Sequence, residues 1–137
     1  MKFQAARTAG YAFALFAIIA AVSPVSAQSV FDGSYKSTAI SGSAGRGTQN
    51  CATINSMTMT ISGGRAVVRE VQANGTIISY QGTVNSAGQV SATSQPQGYQ
   101  SGTGSRALSV TGTIQGNTFT GQRMHDVCTS AITMMKG

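Results

Sequence analysis

Residues 65–94 read RAVVREVQANGTIISYQGTVNSAGQVSATS. This stretch contains three β-prone runs, which cover residues 65–72, 76–85 and 89–94. Asn74-Gly75 and Ser86-Ala87-Gly88 separate the runs, and such residues supply the positive φ angles of tight hairpin turns. The stretch therefore predicts three antiparallel strands joined by short turns.

The same arrangement continues in both directions along the chain, and helical periodicity is absent. Five more runs are predicted as strands: residues 33–40, 51–62, 106–115, 118–124 and 127–135. Eight consecutive strands indicate an up-and-down meander. Within the strands, apolar residues alternate with polar ones, as in Leu108, Val110 and Ile114, so one face is expected to be buried. The alternation slips near Asn55 and Ser56, which predicts a β-bulge.

Two hairpins resemble each other, because residues 80–84 (YQGTV) and 110–114 (VTGTI) have the same pattern. Each places one glycine, Gly82 or Gly112, on the predicted inward face. An inward glycine lets a strand curve or approach a bulky neighbour, as in a narrow barrel. The alternative is that Gly-Thr pairs are simply common in this composition.

The first 27 residues have the pattern of an export signal. Lys2 and Arg7 precede an apolar stretch at residues 11–22, and Val25-Ser26-Ala27 forms a small-residue cleavage motif after Pro24. We expect cleavage after Ala27, which leaves a single β domain at residues 28–137. This domain is predicted to contain no transmembrane segment and to be located in the periplasm or secreted. The alternative is an uncleaved N-terminal anchor. Residue 28 is glutamine, whereas a bacterial lipoprotein has a cysteine here that is acylated, so we expect no lipid anchor.

The two cysteines, Cys51 and Cys128, are predicted to form a disulfide in an oxidising compartment. A bond between the second and eighth strands would bring the end of the meander beside its beginning. The sequence therefore predicts an all-β fold, a small antiparallel up-and-down barrel of about eight strands closed by one disulfide. A β-sandwich stapled across its core is the alternative fold, and a reactive or metal-binding thiol pair is the alternative role.

The chemical inventory of the exported part is small. It contains one histidine, His125, and three carboxylates, Asp32, Glu70 and Asp126. We interpret His125 as a surface residue in the turn before the last strand. No motif places a general base beside a residue that could orient it, and no likely metal ligands occur at a recognisable spacing. The sequence therefore predicts no enzyme activity, no cofactor and no metal site. Its basic residues are dispersed, which argues against nucleic-acid binding, although the whole chain carries a net charge of +6.

One long polar connection, residues 95–105, contains Tyr99 and is followed by Arg106. An aromatic and a cationic side chain in a polar loop suit contact with a partner, here an envelope or secreted protein. The alternative is an ordinary hairpin connection. We expect the protein to be a monomer.

Several short motifs of this chain resemble small exported bacterial proteins of unassigned function. The motifs that carry this resemblance are FDGSY at 31–35, the two Gly-Thr hairpins, TFTG at 118–121 and the two cysteines. In gross plan, the chain is also similar to the lipocalin-like periplasmic inhibitors of metalloproteases, which implies a barrel, one disulfide and an N-terminal segment that enters a protease.

These observations predict an exported, non-catalytic binding or interaction module of the cell envelope. Its interior is expected to be filled by its own side chains, because apolar residues are too few to line a large ligand cavity as well. Two alternatives remain open at this point. One is a structural or adhesive surface protein, and the other is a periplasmic protease inhibitor.

Overall fold

The computed structural model describes residues 30–42, 51–94 and 108–137. Over these residues, eight strands follow one another in chain order around a closed antiparallel barrel. The strands are β1 (Gly33–Ile40), β2 (Ile54–Ser62), β3 (Arg65–Gln72), β4 (Ile77–Val84), β5 (Gln89–Ser94), β6 (Leu108–Gln115), β7 (Thr118–His125) and β8 (Cys128–Lys136). The predicted barrel is confirmed and the sandwich alternative is wrong. The predicted signal at 1–27 lies outside the described residues.

The barrel has two unlike ends. One end, here called the turn end, carries the tight connections at 63–64, 85–88 and 116–117 together with residues 30–32. The other end, here called the loop end, is where the connections 41–53, 73–76, 95–107 and 126–127 begin and finish. Successive connections of an up-and-down barrel alternate between its two ends. The two longest connections, 41–53 and 95–107, are the first and the fifth, so both join strands at the loop end.

The turn end is held by its own N-terminal residues. Tyr35 Oη donates a 2.9 Å hydrogen bond to the Phe31 carbonyl, and the Phe31 side chain packs against the core. The Asp32 carboxylate accepts a 3.0 Å bond from the backbone N–H of Gly63 in the β2–β3 turn. Residues 30–32 are therefore tied to this end of the barrel.

Alternate side chains from all eight strands fill the barrel interior. The largest apolar members, each at most 2% exposed, are Tyr35, Met57, Met59, Ile61, Tyr80, Phe119, Ile132 and Met134. The predicted bulge is confirmed, since the register of β2 against β3 shifts between Ile54 and Ser56. The shift moves the inward set of β2 from Ile54 to Met57, as the slip in the sequence indicated.

The inward glycines create room for the core aromatics. Gly112 on β6 pairs with Gly121 on β7, and a Cβ on Gly112 would lie 2.6 Å from Phe119 Cε2. A Cβ on Gly82 would overlap the backbone of Ser91 and Ala92 on the next strand. The strands approach closely at these positions because no side chain separates them.

Replacing Gly112 by alanine is expected to lower the free energy of unfolding by about 1–3 kcal/mol, because the new methyl group would overlap the backbone of Thr120 and Gly121 on β7 and the ring of Phe119. Urea denaturation of the oxidised protein measures the change. Gly42→Ala is the matched control, since a Cβ there meets nothing within 4 Å, and we expect a change within about 0.5 kcal/mol. Equal effects from the two variants would contradict close packing at Gly112.

The disulfide closes the rim at the loop end. Cys51 and Cys128 are bonded with their Cα atoms 5.7 Å apart, which confirms the predicted pairing. Strand β1 ends at the rung Ile40↔Ile132, short of Cys128. The chain from Cys51 crosses this gap to the end of β3, where the Thr53 carbonyl accepts a 2.9 Å bond from the N–H of Ala73, the residue after that strand. The disulfide therefore joins β8 directly to the segment that leads into β2.

Candidate functional site

The structure tests the sequence-derived site residues unevenly. Cys51 and Cys128 lie together at the rim of the loop end. Tyr99 and Arg106, the predicted partner contacts, fall in residues 95–107, which lie outside the described residues. Their role therefore stays a prediction. The described part of this end contains a different set of functional groups, which is buried inside the barrel.

A buried ion pair crosses the interior of the loop half. Glu70 lies near the end of β3 and Arg123 near the end of β7, and both side chains are fully buried. Arg123 Nη2 donates to Glu70 Oε1 at 2.7 Å and Nε donates to Oε2 at 3.0 Å. This two-point geometry fixes the guanidinium against the carboxylate and stabilises both charges away from water.

Two neutral side chains complete the environment of Glu70. Tyr80 Oη donates a 2.5 Å bond to Oε2, and Gln72 Nε2 donates a 2.8 Å bond to Oε1. Burial raises the pKa of Tyr80 above its ordinary value, and the hydrogen bond to Glu70 raises this pKa further. The phenol therefore keeps its proton and remains a donor at neutral pH.

His125 connects this cluster to the rim. It is the last residue of β7 and is half-buried, with its Nδ1 3.2 Å from Arg123 Nη2. Because arginine has only donors, Nδ1 must be the acceptor, which requires neutral His125. The interpretation of His125 as a surface residue in a turn was wrong. Its strand parity places it inward, two positions after Arg123.

Acidification is expected to destabilise the protein through His125. Burial lowers the pKa of His125 below its ordinary 6.5, and the positive charge of Arg123 lowers it further. The unfolded chain therefore takes up this proton more readily, so the free energy of unfolding falls as the pH drops through 6.5. The full contribution is present above that pH. Urea midpoints measured across this range will show the decline.

His125→Gln is the control for this pH dependence. The amide oxygen of glutamine can still accept from Arg123, but the side chain does not titrate. We expect the variant to lose the part of the pH dependence that lies at and below pH 6.5. If the variant and the natural protein show the same pH dependence, proton uptake by His125 does not cause it.

We call Glu70, Gln72, Tyr80, Arg123 and His125 the buried polar cluster. Four donor groups occupy the Glu70 carboxylate, so it is committed as an acceptor and poorly suited to act as a base. Arg123 Nη1 is buried and has no hydrogen-bond acceptor among the described residues. The cluster thus offers one unused donor and no activated nucleophile. No group of three or more potential metal ligands occurs in the described ranges.

The sequence contains a signal for this cluster in its strand alternation, although no catalytic motif marks it. Glu70 follows Ala66 and Val68 at alternate positions, and Arg123 follows Phe119 and Gly121 in the same way. Strand alternation alone therefore places both charges on the inward face. Two opposite charges at inward positions of a small barrel predict a buried pair, because neither is stable there alone.

The fold and the site define a single-disulfide, eight-stranded antiparallel barrel with a charged pair inside its loop half. Comparisons with models of protein families, with curated proteins and with solved structures found no match to this chain. In the part of the chain that the structure describes, no helix has the length and apolar character needed to cross a membrane.

Proposed function

We propose that this protein is an exported, non-catalytic binding module of the cell envelope that contacts its partner with the loop end of the barrel. The observation that carries this proposal is the difference between the two ends. The loop end holds the two longest connections, the disulfide and the buried polar cluster, whereas the turn end holds three tight turns. Binding residues concentrate on loops that a rigid scaffold positions.

Two features support export. A disulfide is typical of a non-reducing environment, and the first 27 residues have the composition of a cleavable signal. Together they favour the periplasm or the extracellular space over the cytoplasm. The same arguments favour an envelope or secreted protein as the partner.

The chemistry of the buried polar cluster favours binding over catalysis. General base catalysis needs an acceptor free to take a proton from the substrate. Here four donors hold Glu70, and His125 uses Nδ1 toward Arg123. The cluster instead holds β3, β4 and β7 in fixed positions beneath the loop end, which is what a rigid binding surface requires.

Site-specific photo-cross-linking in the producing organism tests the choice of end. A photoreactive amino acid replaces one residue at a time, at Ala73 or Ile77 on the loop end and at Ala87 or Asn117 on the turn end. All four side chains are exposed. We expect covalent adducts of defined mass from the loop-end positions and none from the turn-end positions. Mass spectrometry of the adducts then identifies the partner.

The turn-end variants are matched controls because they carry the same photoreactive group on the same barrel. Adducts from the turn end alone, or from both ends equally, would overturn the proposal. Absence of adducts from all four positions would also count against it. Hydrolysis of an envelope substrate by the purified protein, lost in a variant of the buried polar cluster, would replace binding with catalysis.

The two alternatives receive less support from the geometry. Intermolecular β stacking needs unpaired strand edges, and closure of the barrel pairs each strand with both of its neighbours along much of its length. An inhibitor of the lipocalin-like type needs a free N-terminal segment, but Phe31 and Asp32 are bound to the turn end. We therefore rank both below the binding module.

A further inference from the structure

The barrel wall has an opening between β1 and β2 near the loop end. The two strands are paired from Gly33↔Ile61 to Lys36↔Thr58. Beyond that rung, no pairing joins the described residues of these strands. Residues 37–40 continue against β8, and residues 54–57 continue against β3. We call the space between residues 37–40 and 54–57 the window.

Both strands that border the window carry a bulge at this height. The register of β1 against β8 shifts between Ser37 and Ala39, and the register of β2 against β3 shifts between Ile54 and Ser56. A bulge bends its strand and can terminate pairing on one side. Two bulges facing each other across this gap explain why β1 and β2 separate here.

The window has a floor and a rim. At its floor, the backbone N–H of Met57 donates a 3.0 Å bond to Ser37 Oγ, so a side chain replaces the missing backbone partner. At its rim, residues 51–53 cross from the disulfide on β8 to β3. The opening is therefore bounded on all sides by bonded chain, and the disulfide limits how far it can spread.

A cavity of about 210 Å³ occupies the window, lined by Ser37, Thr38, Ala39, Ile40, Ile54 and Asn55. It is smaller than the roughly 300–1,000 Å³ of pockets that bind drug-sized molecules. It is several times the roughly 30 Å³ share of one water molecule. The volume suits one or two side chains of an extended segment. The surface that the cavity exposes is almost entirely polar, so an occupying side chain would meet hydroxyl, amide and backbone groups.

The charges around the window favour an acidic occupant. Lys36, Thr58 and Arg69 form one exposed cross-strand row just below it, through the rungs Lys36↔Thr58 and Thr58↔Arg69. The six residues that line the cavity include no acidic side chain. An extended segment in the window would direct alternate side chains outward, where a carboxylate would meet these two cations.

We infer that the window binds an extended acidic peptide segment of a partner protein, which adds to the barrel wall as a strand. The backbone of the segment bonds to the pair-free edges, a small side chain enters the cavity, and outward carboxylates face Lys36 and Arg69. This recognition mode is β-strand addition, in which main-chain bonds supply affinity and side-chain contacts supply specificity. The inference deepens the proposed function. It rests on that function in one respect, which is that the partner is a protein.

Binding of three fluorescent pentapeptides to the oxidised protein tests the inference. The probes are Glu-Val-Glu-Val-Glu, Lys-Val-Lys-Val-Lys, and the acidic peptide with alternate backbone amides N-methylated. Fluorescence anisotropy at low salt measures affinity, and amide NMR signals locate the site. We expect the acidic peptide to bind about tenfold or more tightly than the other two. Its largest signal shifts are expected at residues 37–40 and 54–57.

Surface variants separate the charges from the cavity. Lys36→Gln combined with Arg69→Gln is expected to weaken acidic-peptide binding about fivefold to tenfold, the effect of two exposed cations. Arg65→Gln removes a cation from the same face of β3 nearer the turn end, and should leave affinity unchanged. Ala39→Trp fills the window and is expected to abolish binding. Ala87→Trp is its control at an exposed turn.

Four results of the peptide experiments would overturn the inference: equal affinity for acidic and basic peptides, tight binding of the N-methylated peptide, signal shifts outside the window, or full binding by Ala39→Trp. Self-association that ultracentrifugation detects and that Ala39→Trp removes would assign the window to a second copy and also overturn it. Loop-end cross-links without peptide binding would reject the window alone. Peptide binding without such cross-links would reject the proposed loop-end contact alone.

Discussion

Replacing Arg123 by methionine is expected to lower the free energy of unfolding by about 3–5 kcal/mol, because Glu70 would remain buried without its cation. Glu70 and Arg123 are both fully buried and make two hydrogen bonds to each other. Tyr80 and Gln72 would still donate to Glu70, but neither supplies a compensating charge. Urea denaturation monitored by circular dichroism measures the loss.

A double variant distinguishes the cost of an orphaned charge from the cost of lost packing. Glu70→Leu combined with Arg123→Met replaces both charges with apolar side chains. Replacing a buried ion pair in this way often leaves the free energy of unfolding unchanged or increases it. We expect the double variant to recover most of the single variant's loss. Arg65→Met, at an exposed position of β3, should change stability by less than about 0.5 kcal/mol.

If the double variant is as unstable as Arg123→Met alone, the destabilisation comes from lost shape complementarity instead of an uncompensated carboxylate. If Arg123→Met retains the natural stability, the ion pair is not closed to water as the structure describes it. Both outcomes would weaken the role of the buried polar cluster in holding β3, β4 and β7 beneath the loop end.

Removing the disulfide by replacing Cys51 and Cys128 with serine is expected to cost about 4 kcal/mol. The bond joins residues 77 positions apart, and chain-entropy arguments give about 4–5 kcal/mol for a loop of this length as an upper figure. Small domains have total stabilities of about 5–15 kcal/mol, so the loss is a large share. Urea denaturation of the variant and of the oxidised protein gives the difference.

Reduction of the natural protein is the control for this variant. A thiol reductant should lower its stability to that of the double variant, and should have no effect on the double variant itself. Where the variant lacks a folded baseline, sucrose strengthens effective burial and restores a measurable transition. A loss below about 1 kcal/mol would mean that noncovalent contacts at the rim, such as Thr53 with Ala73, suffice to close the barrel.

Much of the fold could be predicted because each strand is marked by its own alternation of apolar and polar residues and by the turn residues that flank it. The bounds of β1, β3 and β5 match the predicted runs, and β2, β4, β7 and β8 differ by one to three residues at their ends. The predicted start of the sixth run, at residue 106, lies outside the described residues. The run predicted to start at Cys51 begins as a strand only at Ile54, because residues 51–53 cross the rim instead of pairing in the wall. Such end differences depend on neighbours that the local sequence does not contain.

The candidate site was less predictable for the same reason. Strand parity is enough to place Glu70 and Arg123 inward, although no prediction from the sequence used it. Their contact, however, joins β3 to β7 across 53 positions of sequence. His125 looked isolated because the residue that contacts it, Arg123, faces it only when both point into a narrow barrel. The sequence predicted the bulge in β2, but not the bulge in β1 or the separation of the two strands, which depend on pairing with β8 and β3.

By itself, the sequence determined the strands, the turns, the inward and outward faces and the pairing of the two cysteines. These features follow from alternation, from glycine and asparagine at turns, and from there being only two thiols to join. The tertiary structure alone decided which inward charges meet and where the wall opens. Those outcomes depend on barrel closure, which sets distances between residues far apart in the chain and removes their charges from water.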